Sequence, residues 1–186
     1  DPAARLAALD GFRVLCAHRS GPHGLEHVGP LIEAALADAG LIRPRGRWYD
    51  GRPILVSRND PALRLANGDL GLVMADPRAP ETLRAWFPEG SNGARALSPS
   101  RLPPHETAWA MSIHKAQGSE FDGVAVVLPR EASPLLSREL LYTAVTRARR
   151  HVAVLGTEAA IRAAVERRIV RASGLERRLW GGAPPA

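Results

Sequence analysis

A chain of 186 residues, 45% of them hydrophobic, is long enough for one ordinary core and too short for two large independent domains. No apolar run approaches the roughly 20 residues of a membrane-spanning helix, and a single cysteine, Cys16, excludes an internal disulfide. The opening Asp1-Pro2-Ala3-Ala4-Arg5 lacks the basic-then-apolar pattern of a secretory signal, so cytoplasmic residence is the expectation.

A net charge of +6 favours a polyanionic partner through counterion release, although excess charge also serves solubility. Lys115 is the only lysine among the 25 basic residues. In chain order, Phe12 to Ala17 reads as a buried strand with Cys16 as a small core side chain, and Ser20 to Gly24 turns the chain. Val28, Leu31, Ile32, Ala35, Leu36 and Ala39 then recur at helical spacing, with Pro30 suited to a first turn and Gly40 to a C-terminal cap. Between about Arg43 and Pro104, Pro, Gly and Asn punctuate β-rich runs such as Pro53 to Ser57 and Leu70 to Ala75. Asn67-Gly68-Asp69 is a hairpin signal between them, so this stretch reads as a small β unit inserted into an α/β layer.

The α/β style returns after Pro104. Thr107 to Ile113 reads as a strand, Gly123 to Leu128 as a buried strand, Ser137 to Arg149 as a helix, His151 to Leu155 as a strand, and Glu158 to Ala172 as a closing helix. Such alternation implies a parallel sheet with sites at the carboxyl ends of its strands. Arg19, the segment His114 to Gly118 and the end of the Ser137 helix are therefore the places where chemistry is expected. Taken alone, Ser112 to Phe121 is compatible with a solvated, capped loop, and Leu140 to Arg150 with a core helix whose arginines favour its C-terminal dipole. Tyr142, Trp48 and Trp109 read mainly as packing residues.

Together, in this order and spacing, the two segments resemble motifs V and VI of superfamily 1 helicases. Ser112 to Phe121 has the form [TS]-x-H-x-x-[QK]-G-x-E-F, and Tyr142 to Ala148 the form Y-x-A-x-T-R-A. Arg58-Asn59-Asp60 with Asn67-Gly68-Asp69-Leu70-Gly71, and Cys16 to Pro22, narrow the resemblance to the RecD type, over about residues 12 to 156. It implies an α/β, RecA-like parallel sheet flanked by helices and interrupted by a small SH3-like β-barrel insertion. The implied division is a second motor domain from 1–47 and 105–180, the insertion from 48–104, and a disordered tail from 181–186.

The resemblance also implies roles. Arg147 and Arg19 match arginines that reach the γ-phosphate when a cleft closes, where an arginine finger is worth roughly 10³ to 10⁵ in rate. Gly118, Glu120 and Gln117 match positions beside the nucleotide, and Ser112, His114 and Lys115 match positions at the DNA backbone. No G-x-x-x-x-G-K-[ST] segment occurs, so ATP and Mg²⁺ are expected only with a first, N-terminal motor domain, and residues of this chain alone are expected to bind neither. The implied partners are single-stranded DNA, that first motor domain, and the RecB and RecC subunits of exodeoxyribonuclease V, with 5′ to 3′ movement in double-strand break repair. No membrane partner is implied. The competing reading is a non-catalytic RecA-like docking or DNA-binding module of a repair complex.

Overall fold

The computed structural model describes residues 1–91, 93–131 and 133–169. The expected tail at 181–186 and the end of the helix expected to reach Ala172 lie outside the described residues. A short helix, α1 (Pro2–Ala7), begins at an Asp1 side-chain cap and leads into β1 (Phe12–Cys16). Helix α2 (Leu25–Asp38) follows. At its end Gly40 takes φ +70°, its N–H donates to the Ala37 carbonyl, and the Leu41 N–H donates to the Leu36 carbonyl. These two bonds form a Schellman cap, which satisfies carbonyls the helix leaves without partners. The helix opens at Leu25 behind Gly24, so Pro30 stands in its second turn and not its first. Leu25, Val28 and Ile32 touch the core while Leu31 is exposed, which makes the contact stripe narrower than the sequence pattern suggests.

Five strands then form an antiparallel sheet: β2 (Pro53–Val56), β3 (Leu70–Asp76), β4 (Ala79–Glu89), β5 (Gly93–Leu97) and β6 (His105–Thr107), in the order β5-β4-β3-β2-β6. The Asn67-Gly68-Asp69 turn is not a tight hairpin. It delivers the chain into β3 at the end of a longer excursion from β2, in which Asp60 and Leu65 bridge and the Asn67 N–H donates to Asn59 Oδ1 at 2.7 Å. One face of the sheet buries Ile54, Val56, Val73, Ala85 and Phe87, with Trp48 at the margin. The other places Leu72 and Met74 against Leu6 of α1. Arg5 of that helix holds Asp50 through two bonds of 3.0 and 2.9 Å.

The chain changes sheets at Ala108 and Trp109. One strand over Thr107 to Ile113 is the sequence expectation, but β6 ends in the antiparallel sheet and β7 (Ala110–Ser112) begins the parallel one. The antiparallel sheet thus runs three residues past the expected boundary at 104. Side chains pin the crossing. Arg13, 4% exposed, donates to the Ala108 carbonyl at 2.9 Å and the Leu9 carbonyl at 2.7 Å. The Trp109 indole N–H is shared between Glu33 at 3.1 Å and the Tyr49 hydroxyl at 3.0 Å. Burial lowers the pKa of the Arg13 guanidinium and pushes the Tyr49 phenol up to about 12.

The parallel sheet is completed by β8 (Phe121–Val127), α3 (Arg138–Val145), β9 (Ala148–Leu155) and α4 (Glu158–Glu166), in the order β7-β1-β8-β9. Val14 pairs with Ala110 on one side and Ala125 on the other. Successive side chains point to opposite faces. Leu15, Val124 and Val126 share a core with Leu140 and Ala144 of α3 and Ala160 and Ala164 of α4, while Val14, Cys16 and Val127 pack with residues of α2. A parallel sheet with helices on both faces is the layered α/β arrangement expected.

Helix α3 is shorter than its sequence suggests. Ala148, Arg149 and Arg150 belong to β9 and not to the helix, so the two arginines do not serve a helix dipole. Tyr142, expected in the core, is 68% exposed. Its neighbours Leu140 and Ala144 form the buried face, and two residues of helix turn it about 200° away from each. No helix among the described residues is long and apolar enough to cross a membrane.

Candidate functional site

The residues singled out from the sequence gather at two opposite edges of the parallel sheet. At the carboxyl ends of β1 and β7, Ser112 closes its strand and its Oγ accepts the Lys115 N–H at 3.3 Å, folding residues 112–116 into a tight turn. His114 is exposed on that turn and Ala116 is fully buried, anchoring the loop to the core. Lys115 Nζ lies 2.9 Å from Glu106 Oε2, a carboxylate that arrives from β6. Arg19, just past β1, is held by Glu26 at 3.0 Å, and its Nη1 is 3.9 Å from Glu106 Oε1.

From there the loop crosses to the amino ends of β8 and β9. Gly118 adopts φ +87° in open space, so the backbone turn and not crowding calls for glycine. Gln117 and Glu120 are exposed, and Glu120 Oε2 accepts from Arg149 Nε at 3.3 Å. Arg147 follows α3 and lies over this part of the loop. Its Nη1 donates to the Ser119 carbonyl at 3.0 Å and its Nε to the Thr143 carbonyl at 3.1 Å. The Phe121 N–H donates in turn to the Arg147 carbonyl at 2.8 Å. These bonds place Arg147 beside Gly118, Ser119 and Glu120.

This layout departs from the sequence reading in one respect. A crossover helix runs antiparallel to the strands it joins, so the end of α3 must return to their amino edge and cannot lie at the carboxyl edge. The ends of β8 are separated by roughly 20 Å at about 3.3 Å per residue. Arg19 and Arg147, expected at one phosphate, therefore leave the sheet at opposite edges, and this arrangement does not bring them together. Glu106 escaped the sequence reading because no spacing announces it. It meets Lys115 and Arg19 only through the change of sheets at Ala108. The pairing of Arg149 with Glu120 likewise depends on Arg149 lying on a strand.

Comparison with known proteins supplies the family. Residues 107–155 match the UvrD-like helicase C-terminal domain. The RecBCD enzyme subunit RecD of Mycobacterium tuberculosis (strain ATCC 25618 / H37Rv) is 52% identical over 174 residues, covering 94% of this chain and 30% of that protein. This chain belongs to the RecD-type helicases. The ATP-dependent RecD2 DNA helicase of Deinococcus radiodurans is 31% identical over 176 residues, 92% of this chain and 24% of that protein. The chain thus spans about a third or less of the length of these RecD-type relatives. Among solved structures, a Pif1 helicase from Bacteroides in complex with ADP-AlF3 and ssDNA aligns at TM-score 0.50 and 17% identity, over 82% of this chain and 44% of that one. That likeness bears on the fold alone and agrees with a RecA-like α/β layer.

Proposed function

We propose that this chain forms the second RecA-like motor domain of an ATP-dependent DNA helicase, gripping single-stranded DNA and completing an ATP site built by another motor domain. The observation that carries the reading is the position of Arg147, tied to the Ser119 carbonyl at 3.0 Å. The arginine of the helicase-like Tyr142 to Ala148 segment is thereby joined to the helicase-like loop that ends at Glu120. In this reading Arg147 leaves the Ser119 carbonyl when the γ-phosphate arrives and stabilises charge on the transferring group. Gly118, Gln117 and Glu120 flank the nucleotide, with ATP and Mg²⁺ held mainly by the other motor domain. Ser112, His114 and Lys115, on the turn at the other edge of the sheet, contact the DNA backbone. Arg19 stands with that second group and is assigned no phosphate of ATP.

The five antiparallel strands are read as the SH3-like insertion of the family, supported by their entry after α2 and their exit directly into β7. The kinship with RecD extends the proposal to 5′ to 3′ movement, to a cytoplasmic place in double-strand break repair, and to RecB and RecC as partner subunits. The test is steady-state ATP hydrolysis by the full-length protein with and without single-stranded DNA, for the natural sequence and for Arg147→Ala. DNA-stimulated hydrolysis that falls by about 10³ or more in the variant, with DNA binding retained, is the expected result. DNA binding with no DNA-stimulated hydrolysis in either protein would replace the motor with a docking module.

A further inference from the structure

Glu106 stands between the two sheets. It belongs to β6 of the antiparallel sheet, yet its two carboxylate oxygens face cations carried by the parallel one: Lys115 Nζ at 2.9 Å and Arg19 Nη1 at 3.9 Å. Arg19 has a second acid, Glu26, at 3.0 Å. Lys115 and Glu106 are each only about 30% exposed at their side chains, so solvent screens their attraction incompletely. Glu26, Glu33 and Glu106 line one open cavity with Arg19 and Trp109. Around this edge, then, Glu106 and Glu26 face the two cations, Glu33 adds a further carboxylate bonded to the Trp109 indole, and the local charge is not a plain basic patch. A DNA phosphate approaching Lys115 competes with a carboxylate already in place.

Resting on the reading that this edge holds single-stranded DNA, we propose that Glu106 is a positioning residue that withholds the charge of Lys115, and in part of Arg19, from the DNA backbone. The inserted sheet thereby sets the strength of the grip. Any movement of β6 away from β7 frees Lys115 for phosphate and leaves Arg19 paired with Glu26, and any return restores both ties to Glu106. By linkage, DNA that captures Lys115 loosens the tie between the two sheets by the same free energy.

The test measures binding of a fluorescent oligo-dT to the 186-residue chain across a salt series, for the natural sequence, Glu106→Gln, Lys115→Ala and the double variant. Glu89→Gln, which removes another carboxylate of the inserted sheet, controls for general charge. The expected result is that Glu106→Gln tightens binding about threefold or more at low salt and steepens the slope of log K against log salt by up to ~0.7 per cation released. Glu89→Gln does less, and most of the Glu106→Gln gain disappears in the Lys115→Ala background. A merely structural role would weaken binding or leave the slope unchanged. The proposal is overturned if Glu106→Gln binds no tighter than Glu89→Gln, or if its gain survives intact without Lys115. Glu106→Asp, which keeps the charge on a shorter arm, guards against misfolding and is expected to fall between the natural sequence and Glu106→Gln. Should none of the proteins bind oligo-dT at low salt, the DNA reading of this edge fails and takes the proposal with it. Binding that Lys115→Ala weakens but Glu106→Gln leaves untouched refutes the proposal alone.

Discussion

Phe121 is bonded to Arg147 through the main chain, its N–H donating to the Arg147 carbonyl at 2.8 Å, while the Arg147 guanidinium donates to the carbonyl of Ser119 two residues earlier at 3.0 Å. The loop before β8 and the residue that opens the way into β9 are therefore one mechanical unit. Arg147→Lys keeps the charge but loses the planar fork that reaches Thr143 and Ser119 together. Amides of Ser119 to Phe121 are expected to exchange hydrogen at least several-fold faster in that variant. Unchanged protection would mean that the fork does not hold the loop.

Lys115 is the single lysine of the chain, and the contribution to DNA binding proposed for it has a distinctive readout. Lys115→Ala is expected to flatten the salt dependence of single-stranded DNA affinity by up to about 0.7 in slope in the Glu106→Gln background, where the charge is free for one phosphate contact, and by less where Glu106 holds it. His114→Ala is expected to lower affinity as well, by removing an exposed hydrogen-bonding side chain from the same turn. Equal slopes with and without Lys115 in the Glu106→Gln background would remove Lys115 from the interface.

The tie between Arg5 and Asp50 predicts a pH effect on stability. Burial alone would raise the Asp50 pKa, but the Arg5 hydrogen bonds and charge, with the Ala75 N–H, outweigh it and hold the carboxyl below its ordinary value. A group depressed in the folded state contributes fully above its unfolded pKa of about 4 and loses that contribution as pH falls through the folded value. The pair is half exposed, so its worth is about 0.2–1 kcal/mol. Asp50→Asn is expected to melt lower than the natural sequence at pH 7, with the gap closing below pH 4. A gap that persists in acid would show that the loss is not electrostatic.

Cys16 is fully buried, and burial pushes its thiol up to about 11. The thiolate is the reactive form, so the native chain is expected to resist thiol reagents at pH 8 and to react with one equivalent after denaturation. Fast native labelling would mean that β1 opens far more often than its packing implies.

Gly71 lies where β3 passes the Phe87 ring. A Cβ there would meet Phe87 at 2.6 Å and the Trp86 carbonyl oxygen at 2.7 Å, one neighbour being rigid backbone. Gly71→Ala is expected to cost about 1–3 kcal/mol by overpacking, measured by urea unfolding. A neutral result would mean that β3 and β4 slide apart without strain.

Much of the parallel layer was legible because burial on both faces leaves near-continuous apolar runs. Phe12 to Cys16 and Gly123 to Val127 announce themselves, and Gly40 marks its helix end through a conformation other residues rarely adopt. The loop from Ser112 to Glu120 was legible as a place for chemistry through its residue types. What escaped was settled by distant partners. The break at Ala108 depends on Arg13, ninety-five residues earlier in the chain. The end of α3 depends on pairing of Ala148 with Phe121, and the exposure of Tyr142 on which face of that helix meets the sheet. The edge at which each arginine emerges follows from strand direction, which a motif does not encode.

The neighbour of β1 on one side is β7, and Val14 meets Ala110 after an excursion of almost 100 residues. The strands within that excursion pair mostly with sequence neighbours, β3 with β4 and β4 with β5. Closing a long loop is entropically costly before its contacts form, whereas local hairpins close in microseconds. The antiparallel sheet is thus in a position to assemble first and to bring the two halves of the parallel sheet within reach of one another. For this chain the antiparallel sheet would then be a folding template, and a lesion such as a strained β3 would delay the birth of the parallel layer without touching any residue in it.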